Sequence, residues 1–255
     1  GSLRTDPATP VKDTSGGKTD AAEADSEANK FHQMKARKAS VEAAVAAFNA
    51  RPKLTSLENC PDLKTDDPTQ VASFLLTAKG LDKTAIGELL GGFDDDEVAV
   101  MRAFVESHDF AQDDFDVALR RFMSSFRLPG EAQKIDRLME AFAARYCEGN
   151  PDVFKDRDAA YVLAFAVIML NTDAHNPNMD TKMTKKDFVD MATSAESGSG
   201  MDQAMLETVY DRIVSEEIVM KDEPVVNRDG ARKKSLGKSL YLATPWARRD
   251  TVSAA

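Results

Sequence analysis

A carboxylate placed between a turn and a helix is the feature of this chain with the clearest chemical potential. Glu131 follows the turn signal Pro129-Gly130, and after it Ile135, Leu138, Met139 and Phe142 recur at the spacing of one helical face. At or just before the first turn, its charge would be stabilised by the positive end of the helix, which is by itself a structural role. A second marker is the unbroken apolar run from Ala159 to Leu170, closed by Asn171-Thr172-Asp173-Ala174-His175-Asn176-Pro177-Asn178. Leu163, Val167 and Leu170 form one stripe of that helix, and Tyr161, Phe165, Ile168 and Met169 form another. A helix apolar all round is a core helix, but neighbours that cover one stripe can leave part of the other as an apolar groove for a partner.

Other chemistries lack their residues. His32, His108 and His175 are the three histidines, and none stands at a zinc-ligand spacing from Cys or Glu. His175, beside Asn176-Pro177, fits a loop-stabilising role. A nucleophile–base triad, a phosphate-binding loop and a dinucleotide fingerprint are absent. The run from Asn176 to Asp187 resembles a calcium loop but has Thr181 where glycine is needed and Asp187 where a bidentate Glu belongs. No metal and no cofactor is expected. The formal net charge of −10 over 255 residues argues against a nucleic-acid partner. Cys60 and Cys147 are too few for a disulfide framework, and no apolar run is long enough to span a bilayer, so a soluble protein of a reducing compartment is expected. The opening Gly1-Ser2 reads as a tag remnant.

The elements that must position these residues all read as helices. Residues 1–30 carry few apolar side chains and are expected to be disordered. A helical pattern starts near Lys38, with Val41, Ala44, Val45 and Phe48 on one face, and ends at Arg51-Pro52. Asp67-Pro68 opens a helix carrying Val71, Phe74 and Leu75 that Gly80 closes. Asp82 caps one with Ile86, Leu89 and Leu90, ended by Gly91-Gly92. Asp94 caps the next, burying Val98, Met101, Phe104 and Val105; Asp113 caps another, with Phe115, Val117, Leu119, Phe122 and Met123 apolar. Beyond the two central helices, Thr184 to Asp187 forms a capping box ahead of Phe188 and Met191. Ser194 to Gly200 is a loop, and Asp202 opens a last helix with Met205, Leu206, Val209 and Ile213. The reading is all-α, about ten short helices.

After Glu223 the composition turns basic, with Arg228, Arg232, Lys233, Lys234, Lys238, Arg248 and Arg249 among Leu236, Leu240, Tyr241, Leu242 and Trp246. Either this is a solvated tail or linker, or it docks on an anionic membrane or on the domain itself.

At these residues the chain resembles the Sec-seven domain, the exchange module of guanine-nucleotide exchange factors for Arf-family small GTPases. The first motif of that family resembles Phe126-Arg127-Leu128-Pro129-Gly130-Glu131-Ala132-Gln133-Lys134-Ile135-Asp136-Arg137, and the second resembles Tyr161 to Asp173 with His175-Asn176-Pro177. Leu81 to Gly87 and the segment around Thr184 to Phe188 are also similar. The resemblance implies an elongated right-handed superhelical bundle of about ten helices, with a hydrophobic groove between the two central ones. It divides the chain into a disordered segment at 1–37, the domain at 38–221 and a basic tail or linker at 222–255, a fragment of a larger exchanger.

Residue by residue, the resemblance implies that Glu131 is the glutamic finger. The GTPase-binding groove would take in Leu128, Lys134, Asp158, Tyr161, Phe165, Ile168, Met169, Asn176 and Met183. The partner would be an Arf-family GTPase, GDP-bound and nucleotide-free, and the activity nucleotide exchange without covalent chemistry, in vesicle trafficking. The fragment would be monomeric and cytoplasmic, recruited peripherally to Golgi or endosomal membranes. Members sensitive to the inhibitor brefeldin have Tyr-Ser where this chain has Phe165-Ala166, with Asp and Met matching Asp173 and Met183. Lacking both hydroxyls, this chain is expected to be weakly sensitive or resistant. The rival readings are a helical binding module that kept the groove and lost exchange, and a calcium sensor.

Overall fold

Aspartates set most of the helix starts, because a short carboxylate satisfies the N–H groups that a first turn leaves without partners. The computed structural model describes residues 17–177, 181–194 and 200–219. Among them the chain forms α1 (Gly17–Ala50), one 3-10 turn (Leu54–Leu57), α2 (Pro68–Thr77), α3 (Lys83–Leu90), α4 (Asp95–Glu106), α5 (Phe115–Ser124), α6 (Ala132–Gly149), α7 (Arg157–Ala174), α8 (Lys185–Thr193) and α9 (Gln203–Ser215), with no strand. Asp67 accepts from the N–H groups of Thr69 and Gln70 ahead of α2, Asp82 from Thr84 ahead of α3, and Asp202 from Ala204 and Met205 ahead of α9. Thr184 and Asp187 form a full capping box at α8.

Two starts differ from the reading of the sequence. Asp94 stands at the start of α4 but accepts no capping bond, and α5 follows Asp114 rather than Asp113, whose carboxylate pairs with Arg121 at 2.7 Å. The faces shift accordingly. Val100 is buried in α4 while Val98 is half-buried, and Val117 of α5 is exposed. The helix α2 also ends three residues before Gly80, whose φ of +87° marks the turn beyond it.

The largest departure is α1. Disorder was expected through residue 37, yet the helix starts at Gly17. Low hydrophobicity goes with the absence of a buried face from Asn29 to Ser40, where every residue is exposed. It did not forecast the absence of helix. Residues 17–40 are rich in Ala and Lys, strong helix formers, and they extend an end already anchored by buried Ala44, Val45 and Phe48. Residues 1–16 and 220–255, with the basic tail, lie outside the described residues, as do 178–180 and 195–199 in the two loops.

Helices α6 and α7 pack along each other at the centre, α9 lies against α7, and α2 against α4. Ile135, Leu138, Met139 and Phe142 of α6 are completely buried, as their spacing predicts. An aromatic cluster supports the start of α6. The Phe122 ring lies 5.0 Å from that of Phe126, 5.4 Å from Phe142, 6.3 Å from Phe110 and 6.5 Å from Phe104, mostly edge to face. Phe126 is the residue from which the chain leaves this cluster and runs to Glu131.

Candidate functional site

The segment from Phe126 to Glu131 is irregular, yet it is held firmly. Leu128 and Pro129 are buried, and the Arg127 N–H donates to the Lys83 carbonyl of α3 at 2.9 Å. Helix α3 can come this close because residue 87 is glycine. A Cβ there would sit 1.8 Å from the Arg127 carbonyl oxygen, a distance no side chain tolerates. The similar stretch from Leu81 to Gly87 therefore has a local reason: it is the bed on which the Glu131 segment lies.

Glu131 occupies the N-cap position of α6, with extended backbone, but its side chain makes no capping hydrogen bond. The carboxylate points outward, 65% exposed, and pairs with Lys134 at 3.0 Å. Lys134 also donates to Glu88 of α3 at 2.8 Å. Burial pulls the Lys134 ammonium toward lower pKa, but the hydrogen bonds it donates to Glu88 and Glu131 outweigh this and hold the group above its ordinary value. Nearby, the Arg137 guanidinium donates to the carbonyls of Gly91 and Gly92 at 2.6 and 2.5 Å and lies 4.2 Å from the centre of the exposed Phe93 ring.

Along α7 the stripe named from the sequence divides. Phe165 and Ile168 are completely buried and belong to the core, whereas Tyr161 and Met169 are half-buried and reach the surface. Tyr161 donates its hydroxyl to Asp136 of α6 and meets the Phe165 ring edge-on at 5.1 Å, so the two central helices are tied at this level. Tyr161 and Met169 stand about 12 Å apart along the helix at 1.5 Å per residue. Asp158 is exposed in the first turn, next to Asp156, which caps α7 through the Ala159 N–H at 2.9 Å.

The polar residues that close the second motif form a lock. Asn171 donates to the Ile218 carbonyl at 3.0 Å and accepts from its N–H at 2.7 Å, and a ring nitrogen of His175 lies 2.8 Å from the Ile213 carbonyl. Asp173 accepts from the Met183 N–H at 2.6 Å, and the Lys182 ammonium donates to the carbonyls of Asp173 and Asn176. Tyr210 of α9 donates to the Met183 carbonyl at 2.8 Å. Asn176 and half-buried Met183 are thus brought together at the far end of α7. His175 has the loop-holding role its setting suggested.

The structure gathers Leu128, Glu131 and Lys134 at the start of α6, Tyr161 against Asp136 with the Phe165 ring beside it, and Asn176 with Met183 beyond the end of α7. The reading of the sequence missed Glu88, Gly91, Asp136 and Arg137. The motif contains Asp136 and Arg137, but only packing shows that they face α7 and the α3–α4 turn, and Glu88 carries no local signal. Among the described residues no group of three or more His, Cys, Asp or Glu is arranged to hold a metal ion.

Residues 37–218 match the family model of the Sec7 domain. The chain belongs to the Sec7 domain family. A curated relative, the brefeldin A-inhibited guanine nucleotide-exchange protein 2 of Arabidopsis thaliana, is 44% identical over 200 residues, 78% of this chain and 11% of that protein. The chain thus spans a small part of the curated relative. The solved Sec7p catalytic domain is 42% identical, with a TM-score of 0.65 over 69% of this chain and 94% of that one. A second solved structure, ARF1-GDP bound to a Sec7 domain complexed with brefeldin A, matches at 34% identity and a TM-score of 0.67, covering 74% of this chain and 97% of that one.

Proposed function

We propose that this Sec7 domain is a guanine-nucleotide exchange factor for an Arf-family small GTPase, with Glu131 as the group that displaces GDP. The observation that carries the reading is the state of that carboxylate. It is fixed at its root by the buried Leu128-Pro129 segment, released from capping duty, and exposed beside the α6–α7 pair. The solved neighbour bound to ARF1-GDP supports the partner class.

Docking of apolar switch residues of the GTPase against Tyr161, Met169 and Met183 would hold them away from their nucleotide-bound arrangement. Because Phe165 and Ile168 are buried, they shape this surface from beneath unless α6 and α7 separate. Glu131 then arrives where Mg²⁺ and the β-phosphate of GDP sit, repels the phosphate, and pairs with the lysine that held it. A like-charge contact at about 4 Å and an effective dielectric of about 20 is worth roughly 4 kcal/mol, an upper figure of about three decades in release rate. GTP then fills the emptied GTPase by mass action, and no covalent bond is made or broken.

The residues also support weak sensitivity or resistance to brefeldin, since Phe165-Ala166 offers no hydroxyl. Among the described residues no helix is long and apolar enough to cross a membrane. We place the domain in the cytoplasm, recruited peripherally to Golgi or endosomal membranes, with the basic residues after 223 as linker or membrane contact. The decisive experiment follows GDP release from an Arf GTPase lacking its N-terminal helix, by intrinsic tryptophan fluorescence. Acceleration by this chain that disappears with Glu131→Lys supports both activity and finger. Binding to nucleotide-free GTPase without acceleration would leave a docking module only.

A further inference from the structure

Lys134 serves two carboxylates, and they are not equivalent. Its ammonium is 2.8 Å from Glu88 and 3.0 Å from Glu131, with side-chain exposures of 38% and 65% for the two acids against 13% for the lysine. A charge so far removed from water needs a permanent partner. Its stem packs over Gly91, where a Cβ would lie 2.9 Å from the Lys134 Cβ and 2.8 Å from its Cδ. That packing and the bond to Glu88 hold the ammonium beside α3, and the exposed pair with Glu131 is the weaker of the two.

Glu88 reaches this point only because α3 lies against the Glu131 segment. Among the described residues, the acids shown paired with Lys134 are Glu88 and Glu131. The two lysines that line the cavity of about 230 Å³ behind Lys134 are Lys134 itself and Lys53. Lys53 pairs with Glu97 at 2.7 Å and Asp94 at 3.6 Å, so the remaining carboxylates of that cavity already have their cation.

We infer that Glu88 is a positioning residue for exchange: it satisfies Lys134 permanently, so that the Glu131 carboxylate can leave the lysine for the GTPase. The inference rests on the finger reading above. Without Glu88, the largely buried ammonium would depend on Glu131 alone and hold the finger back at the moment of release.

The test measures GDP-release rates against GTPase concentration for the unsubstituted chain, Glu88→Gln, Lys134→Gln, the double variant and Glu131→Lys, with thermal melts alongside. Glu88→Gln is expected to lower the maximal rate about fivefold, the scale of one strengthened ion pair, and to leave the half-saturating GTPase concentration unchanged, with a lower melting temperature because the buried ammonium loses a partner. In the Lys134→Gln background the same change is expected to have no effect, because Glu88 acts through Lys134. A Glu88→Gln rate equal to that of the unsubstituted chain, or a loss that persists without Lys134, would overturn the inference. So would a defect confined to half-saturation or to the melt. Activity retained by Glu131→Lys would instead remove the finger reading itself, so the two failures are separable.

Discussion

At the start of α7, Asp156 turns its carboxylate onto the N–H of Ala159 at 2.9 Å. At the start of α6, Glu131 holds the same position, and its carboxylate caps nothing. Both helices present a positive end and unsatisfied N–H groups, so both offer the acid the same stabilisation. The short Asp side chain curls back onto its own helix. The longer Glu, carried by the buried Leu128-Pro129 segment, extends to a lysine three residues on. The comparison teaches that a carboxylate available for chemistry is one the fold does not need for its own stability.

The sharpest way to break that comparison is to change each acid and read both activity and stability. Glu131→Lys is expected to reduce exchange by up to about a thousandfold, the upper figure of the charge estimate, with little change in the melting temperature. A melt lowered as much as the activity would mean that Glu131 stabilises α6 after all. Phe165→Ala separates core from surface on the neighbouring helix. With its ring completely buried, the substitution is expected to cost about 3 kcal/mol of stability by chemical denaturation, whereas Met169→Ala, half-buried, should cost less and act mainly on GTPase affinity. Equal stability losses at the two positions would dissolve that division.

Asp156→Ala is the counterpart to Glu131→Lys. The lost cap should cost about 1 kcal/mol of stability while exchange per folded molecule stays the same. A selective loss of activity there would place α7's start in the site.

The smallest effect concerns pH. His108 is buried beside Phe104, Phe110 and Phe122, and burial lowers its pKa; the Phe104 carbonyl opposes this, while Arg121 and Arg145 add to it. The unfolded chain, with an ordinary histidine pKa of about 6.5, then takes up a proton that the folded one refuses. The stability His108 contributes is present above about pH 6.5 and is lost as pH falls from there toward its lower folded value. Melts between pH 7.5 and 5.5 are expected to show a decline that His108→Gln flattens, and a decline unchanged in the variant would assign it to other groups.

Much of this was legible because the signals are local. Asp67-Pro68, Asp82, Thr184 with Asp187, and Asp202 mark helix starts through bonds within a single turn, and the spacing of Ile135, Leu138, Met139 and Phe142 needs one helix only. Misreadings arose where two local forces competed, as in α1, where low hydrophobicity argued for disorder and Ala-rich propensity favoured helix. They arose again where a neighbouring element decided which face is covered, as for Val98 and Val117.

The sequence by itself determined the all-α character, the turn that presents Glu131, and the two motifs whose order marks the family, because each depends on residues a few positions apart. The tertiary structure alone decided what those residues face. Gly87 brings α3 within reach of the Glu131 segment, Glu88 meets Lys134 across 46 positions of sequence, and α6 meets α7 through Asp136 and Tyr161. Such contacts are set by how helices pack, and packing depends on every covered face at once, which no short stretch of sequence carries.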